Sequence, residues 1–545
     1  MDGDRILDAR KIAIIIYFTD KIFLQETLES LQTLNVPEKF FVDILPVQGE
    51  EKFRAYNFAM KESDAKYKIY LDENVSILRK NILSEIISVF QSDDKIGIVS
   101  TSGAIQLSTH GIALTSAKRC GKIFLGAEKN LQDFGDDKNS LQEVEVVDDF
   151  FLATQYDFDW REDLKNFSLA AQCLNFQREG LKSIVIKQKK TYIWYRQNNF
   201  SVDEQAQKIF LEEYKNIFPL VSIIIPTFNR AKYFQLALES ALNQTYRNFE
   251  IFITDNSTED DTENLMQDYL QKFSNIKYFR HKKFTANDNW NFARQYNNPN
   301  AEFVNWLMDD DLFYPQKLEK MIEIFRNNPE VSLVTSVRDT IDELGNITGK
   351  LWTYQRPELL NHDCKVKGEL AGKLTFVTGL NYIGEPTTPL IRKKFLRDND
   401  LCWSDDETGF FALVDLSTWL QLLSQGDMFY FANDSLSAFR KHSKQVTNLD
   451  GNRAIFDVSW AKMISTAWNK KIFLKSEKEV RESILQWIHT VTMVLLKAHD
   501  AGQHDEVIIT LEKTLIAMAQ ALNNGYKFEL PARYYGEKTK HGRIS

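Results

Sequence analysis

Ser222-Ile-Ile-Ile-Pro-Thr-Phe-Asn-Arg230 is an apolar run that ends in a proline-containing loop, and a helical pattern follows it from Ala231 to Asn243. Short apolar runs bounded by turn formers read as buried strands, so the stretch predicts strand, loop and helix in that order. The same plan stands near the start of the chain as Ala13-Ile-Ile-Ile-Tyr-Phe-Thr-Asp20, with Leu28-Glu-Ser-Leu31 in its helix against Leu238-Glu-Ser-Ala241 in the other. A strand that closes on acidic residues also recurs, as Tyr67-Lys-Ile-Tyr-Leu-Asp-Glu-Asn74 and as Phe303-Val-Asn-Trp-Leu-Met-Asp-Asp-Asp311. The chain therefore reads as two related α/β domains. Strands alternating with helices favour parallel βαβ units, which bind ligands in the crevice at the carboxyl ends of the strands.

With 545 residues the chain exceeds what one core can organise. The expected division is residues 1–216, 217–450, and a helical region with tail over 451–545. In that last region Ile484, Trp487, Ile488, Val491 and Leu495 fall at helical spacing, a stripe for packing or for a homo-oligomer, and Gly502 breaks the pattern before a helix near Glu506–Leu522. The N-terminal domain is a second candidate surface for self-association. The net charge of −9 and the lack of a long basic run argue against nucleic acid as a partner. Four scattered cysteines, Cys120, Cys173, Cys364 and Cys402, form neither a disulfide framework nor a zinc knuckle, which makes a reducing cytoplasm the simplest compartment. No signal peptide and no membrane-spanning apolar stretch is evident.

Two acidic positions carry chemistry at the predicted strand ends. Asp255 closes Phe249-Glu-Ile-Phe-Ile-Thr254 and precedes Asn256-Ser-Thr258, a pattern that suits either a nucleoside contact or a helix cap. Asp309-Asp310-Asp311 follows Trp306-Leu-Met308. Three adjacent carboxylates in a crevice raise one another's pKa unless a cation sits among them, whereas on a solvated turn they cost little. A divalent ion bridging carboxylates and a diphosphate resolves the repulsion, and hard oxygen ligands suit Mg2+ or Mn2+.

Val221 to Arg230, Asp255-Asn-Ser257, the triplet Asp309–Asp311 with Pro315, and Phe439-Arg-Lys-His442 occur in the order of a family 2 glycosyltransferase of GT-A fold, and the resemblance spans residues 217–447. It implies that Pro226, Thr227, Asn229 and Asp255 hold a nucleotide, that Asp309 lies on the ribose side, and that Asp310 and Asp311 with His442 bind Mn2+ or Mg2+. It further implies Arg440 as a cation for the leaving diphosphate and Asp415, in Leu413-Val-Asp-Leu-Ser-Thr-Trp419, as the general base of an inverting transfer. A capping role is the alternative for Asp415. The family commonly has Asp where this chain has Met308, which leaves the division of labour within the triplet open. Gly384-Glu385-Pro-Thr387 resembles an acceptor-side loop, and Trp403 and Trp419 are candidates for stacking on sugar or for core. The resemblance implies a nucleotide-sugar donor, most simply UDP-linked, and a surface glycan or protein as acceptor.

Residues 10–200 resemble a glycosyltransferase-like domain named after a streptomycin-biosynthesis protein, StrF-like, through Tyr56–Leu71 and Ala153–Asp163. Its acidic segment is Asp72-Glu73-Asn74, and Tyr195-Arg-Gln-Asn198 stands where an R-x-H counterpart belongs. An incomplete metal shell favours a degenerate domain that orients the acceptor or builds a dimer, against a second transferase. Asp148-Asp149 and Trp160-Arg-Glu-Asp163 are further candidates there. The rivals to transfer are a non-catalytic sugar-nucleotide scaffold and a nucleotidyltransferase. The second lacks its Gly-rich phosphate loop at both Tyr17–Asp20 and Pro226–Arg230.

Overall fold

The computed structural model describes residues 6–109, 111, 113–116, 118–135, 141–197, 202–351, 356–396, 413–442 and 452–531. The chain forms two compact units, Met1–Phe218 and Pro219–Ser545. The C-terminal helices belong to the second unit.

In unit 2 the strands run, from one edge to the other, Ile276–Arg280, Phe249–Asp255, Leu220–Thr227, Ala301–Trp306, Leu390–Arg392, Val331–Ser336, Asp427–Phe431 and Cys364–Val366. Most neighbours are parallel, as the alternation of strands and helices predicts. Leu390–Arg392 is antiparallel to both of its neighbours. Both faces of the sheet are covered, which is why its strands read as near-continuous apolar runs. Successive side chains alternate between faces. Val221, Ile223 and Ile225 pack with Phe234 and Leu238 of the helix Ala231–Leu242. Ile224 faces the opposite core with Val304, Trp306 and Trp419.

That second core extends into the helices Asn452–Asn469, Glu477–Asp500 and Glu506–Ala521. Ile484, Trp487, Val491 and Leu495 are buried there, and Trp487 Nε1 donates to Asp457 O at 2.7 Å. The stripe read from the sequence is thus spent inside the unit. Ser476 and Glu479 cap the middle helix reciprocally. Among the described residues no helix is long and apolar enough to cross a membrane.

Unit 1 repeats the plan: Phe41–Gln48, Asp8–Phe18, Ala65–Asp72, Phe151–Thr154, Ile96–Ser100, Lys182–Ile186 and Leu141–Val144 stand in the same order, again with one antiparallel strand, Phe151–Thr154, in the middle. Among the described residues it shows no counterpart of the edge strand Ile276–Arg280. The registers Ile224 to Trp306 and Ile15 to Tyr70 align the two units residue by residue. Asp309 then matches Glu73, and Asp310 matches Asn74. A smaller sheet does the rest: Leu312 pairs with Ala438, and Ser76 with Trp194, so Arg440 matches Arg196. His442 matches Asn198, which lies outside the described residues.

Candidate active site

The loop after Leu220–Thr227 turns at Asn229, which sits at φ 51° in the left-handed region that Asn tolerates. Its side chain ties this loop to the one after Asp255: Nδ2 donates to Thr258 Oγ1 and Oδ1 accepts from Thr258 N, both at 2.9 Å. Pro226 lies one residue before the strand end, opposite Thr254. Thr227 Oγ1 donates to Asp309 Oδ2 at 2.9 Å and Phe228 N donates to the same oxygen at 3.3 Å. The acidic triplet is therefore clamped to the opening loop.

The small sheet lays Ser437–Arg440 beside Leu312–Phe313, which brings the end of that strand to the triplet. His442 Nε2 lies 2.9 Å from Asp310 Oδ2. Arg230 Nη1 lies 3.1 Å from Asp309 Oδ1 and 2.9 Å from Asp310 Oδ2. Burial, and then repulsion from Asp310, lift the Asp309 carboxyl to about 6, with Arg230 opposing.

Asp311 does not join this cluster. It is 1% exposed, its Oδ1 accepts from Arg440 N at 3.0 Å and its Oδ2 accepts from Thr387 Oγ1 at 2.6 Å. A turn in which Asp311 N donates to Met308 O points it inward. Arg440 likewise serves the backbone: Nε donates to Asp310 O at 2.7 Å and Nη1 to Asp342 O at 2.9 Å. It has no exposure to solvent and anchors the rim from behind. Asp255 is also fully buried. Its Oδ1 accepts from Ser257 N at 2.7 Å and its Oδ2 from Tyr278 OH at 2.6 Å, so it builds the loop that Asn229 grips.

Asp310 Oδ2 and His442 Nε2 share a hydrogen bond at 2.9 Å, and a carboxylate oxygen and an imidazole nitrogen are ligand types that a divalent ion accepts. Among the described residues no group of three or more His, Cys, Asp or Glu side chains converges on a metal position. A shell of this kind leaves places for phosphate oxygens and water, which is the habit of Mg2+.

Asp415 occupies the first turn of the helix Val414–Leu423, while Leu413 holds the cap position at φ 59°. It lies in a narrow cleft with Trp290, Trp306, Pro386 and Trp419. Burial pushes its carboxyl up to about 6; the Leu416 amide opposes this, Glu385 adds to it, and Arg338 opposes it further. Gly384 to Thr388 joins the two regions, since Thr387 binds Asp311 and Pro386 lines the Asp415 cleft. Arg338, 1% exposed, holds Glu385 through Nη2 to Oε1 at 3.0 Å. Trp419 is core, its Nε1 donating to Gly384 O at 2.9 Å. Trp403 lies outside the described residues. Arg230 and Arg338 were given no role from sequence, although Arg230 ends the very motif that decides the fold, and Thr387 was read only as part of an acceptor-side loop.

Residues 222–380 match the model of Glycosyl transferase family 2, and residues 13–214 match that of a Glycosyltransferase like family. Unit 2 is built on a family 2 glycosyltransferase domain. An uncharacterized glycosyltransferase of Rickettsia bellii is 29% identical over 237 residues, 43% of this chain and 31% of the relative. Chondroitin synthase of Escherichia coli is 29% identical over 187 residues, covering 33% and 26%. The GalNAc(5)-diNAcBac-PP-undecaprenol beta-1,3-glucosyltransferase of Campylobacter jejuni is 34% identical over 93 residues, covering 17% and 30%. The chain thus spans about a third or less of these relatives' lengths. Among solved structures, S. aureus TarS 1–349 in complex with UDP aligns at 14% identity and a TM-score of 0.37, over 56% of this chain and 88% of that one.

Set beside unit 2, unit 1 keeps some of these positions and changes others. Glu73 keeps the clamp, accepting from Thr19 Oγ1 and Asp20 N at 2.7 Å. Asn74 replaces Asp310. Counting back from Gly180 and Gly426, which follow the corresponding helices, sets Leu169 opposite Asp415. Lys52 Nζ lies 3.2 Å from Asp149 and 3.5 Å from Asp72. Asp148 is buried against Arg119 at 2.6 Å. Trp160 is packed among Phe53, Tyr56 and Tyr70, and Arg161, Glu162 and Asp163 form ion pairs with Glu213, Arg54 and one another.

Proposed function

We propose that unit 2 transfers a sugar, with inversion, from a nucleoside-diphosphate donor, most simply a UDP-sugar, to a glycan or protein acceptor. Asp310 and His442 hold Mn2+ or Mg2+, and Asp415 is the general base. The observation that carries this reading is the loop Gly384–Thr388, whose Thr387 binds Asp311, the neighbour of Asp310 in sequence, and whose Pro386 lines the cleft of Asp415, a carboxyl lifted to about 6. A bound divalent ion supplies positive charge to the departing diphosphate. Thr227 and Phe228 N hold Asp309 in place, and Asn229 and Asp255 shape the nucleotide's wall with Pro226. Asp415 takes the proton of an acceptor hydroxyl as its oxygen bonds to the anomeric carbon and the bond to the diphosphate breaks.

Relatives named for a lipid-linked glycan and for chondroitin support a polysaccharide or lipid-linked acceptor. Cys120, Cys173 and Cys364 take part in no disulfide among the described residues, which supports action in the cytoplasm. A bifunctional chain is disfavoured by Asn74 and Leu169 in unit 1. The deciding experiment is a donor panel assayed for transfer and for hydrolysis with Mn2+, in wild type and Asp310→Ala. Turnover of one donor class that Asp310→Ala abolishes is expected; turnover that the substitution leaves unchanged overturns the metal assignment.

A further inference from the structure

Arg230 stands immediately before the helix Ala231–Leu242, and its side chain caps nothing. Its guanidinium reaches across to both Asp309 Oδ1 and Asp310 Oδ2, at 3.1 and 2.9 Å. Asp310 Oδ2 is also hydrogen-bonded to His442 Nε2 at 2.9 Å, the other side chain proposed above to hold a divalent ion. One carboxylate oxygen thus serves both the resident guanidinium and the proposed metal position. Adjacent carboxylates need a counter-charge, and an arginine cannot lose its proton to make way, so it must move. Arg230 has room to do so: its side chain is 28% exposed, whereas the carboxylates beneath it are 5% and 12% exposed. A guanidinium released there has a ready partner in a diphosphate, whose oxygens its fork matches.

Unit 1 shows the contrasting case. Lys52 neutralises Asp72 and Asp149, but the position equivalent to Asp310 is Asn74, so no carboxylate awaits an exchange of cations.

We propose that Arg230 is the resident counter-cation of Asp309 and Asp310, displaced onto the diphosphate when a divalent ion arrives, so that metal and nucleotide bind as a pair. This rests on the metal-dependent reading above. The test measures Mn2+ binding to the full chain by electron paramagnetic resonance, with and without UDP, in wild type, Arg230→Gln and Arg230→Lys. Arg230→Gln is expected to bind Mn2+ alone about fivefold or more tightly than wild type, and to lose most of the enhancement by UDP. Arg230→Lys, which keeps the charge, stays within about twofold of wild type for Mn2+ alone. Equal enhancement by UDP in wild type and Arg230→Gln, with unchanged affinity for Mn2+ alone, overturns the role of Arg230 and leaves the metal reading standing. Absence of Mn2+ binding in every variant, even with UDP, overturns the metal reading itself.

Discussion

Asp415 is protonated to about pH 6 because its cleft withholds water and Glu385 adds negative charge, against the weaker pull of the Leu416 amide and Arg338. A base must be ionised to act, so kcat/KM should fall about tenfold per pH unit below 6 and level off above it. Asp415→Asn should lose about 10²- to 10⁴-fold in transfer while UDP affinity, read by calorimetry, stays unchanged. The same environment has a thermodynamic sign. A carboxyl whose folded pKa exceeds its unfolded value favours the fold at low pH, and that stability is lost as pH rises from about 3.8 through 6. Asp415→Asn should therefore gain about 1–2 kcal/mol over wild type at pH 8 and little at pH 4, measured by urea unfolding. No gain at pH 8 would show that the ionised carboxylate is well solvated. The motifs named the segments that meet at this rim, but not the partners of their side chains. Asp311 and Arg440 were placed at the metal and the leaving group, yet a turn at Met308 and the carbonyls of Asp310 and Asp342 capture them. Such contacts join residues some 130 positions apart, and a single sequence carries no trace of that geometry.

The loop Gly384–Thr388 is the element on which the site's two ends depend. Gly384 has φ 116°, and a Cβ there would lie 2.7 Å from the Thr388 side chain and 3.1 Å from Arg338. An alanine would be strained in its backbone and would press on the pair that holds Glu385. Gly384→Ala should cost about 2 kcal/mol in unfolding free energy, and should raise the acceptor KM with the donor KM unchanged. Equal loss in both KM values would place the loop on the donor side as well. The sequence pointed to this loop through its Gly-Glu-Pro run, and to the helix Ala231–Leu242 within one residue, because apolar periodicity and turn formers are local signals. It did not show that Leu390–Arg392 and Phe151–Thr154 run antiparallel among parallel neighbours. Strands of three or four residues are too short to carry a pattern of their own, and their direction is set by the connections on either side.

At the scale of the molecule, one strand order appears twice with different chemistry at its rim. The repeat was readable from the paired strand and acidic motifs, and the missing R-x-H in unit 1 pointed to an incomplete shell. The register sharpens this: Asn74 stands for Asp310, the helix Ser168–Arg178 begins Ser-Leu-Ala with no carboxylate where Asp415 stands in the first turn of its own helix, and Lys52 ties Asp72 to Asp149. Lys52 stays charged because, although burial alone would lower its pKa, those carboxylates raise it well above the ordinary value. Removing one partner of such a network leaves uncompensated charge, so Lys52→Met should cost about 2–3 kcal/mol in unfolding free energy. If unit 1 only folds and positions, that variant keeps wild-type kcat below its melting temperature, and Asp310→Ala alone removes all Mn2+ bound in the presence of UDP. If unit 1 instead handles a nucleotide sugar of its own, Lys52→Met lowers turnover at temperatures where the chain stays folded, and metal-independent hydrolysis survives in Asp310→Ala. Measuring stability and turnover on the same two variants separates these cases, because a packing role moves only the first quantity and a catalytic role moves the second.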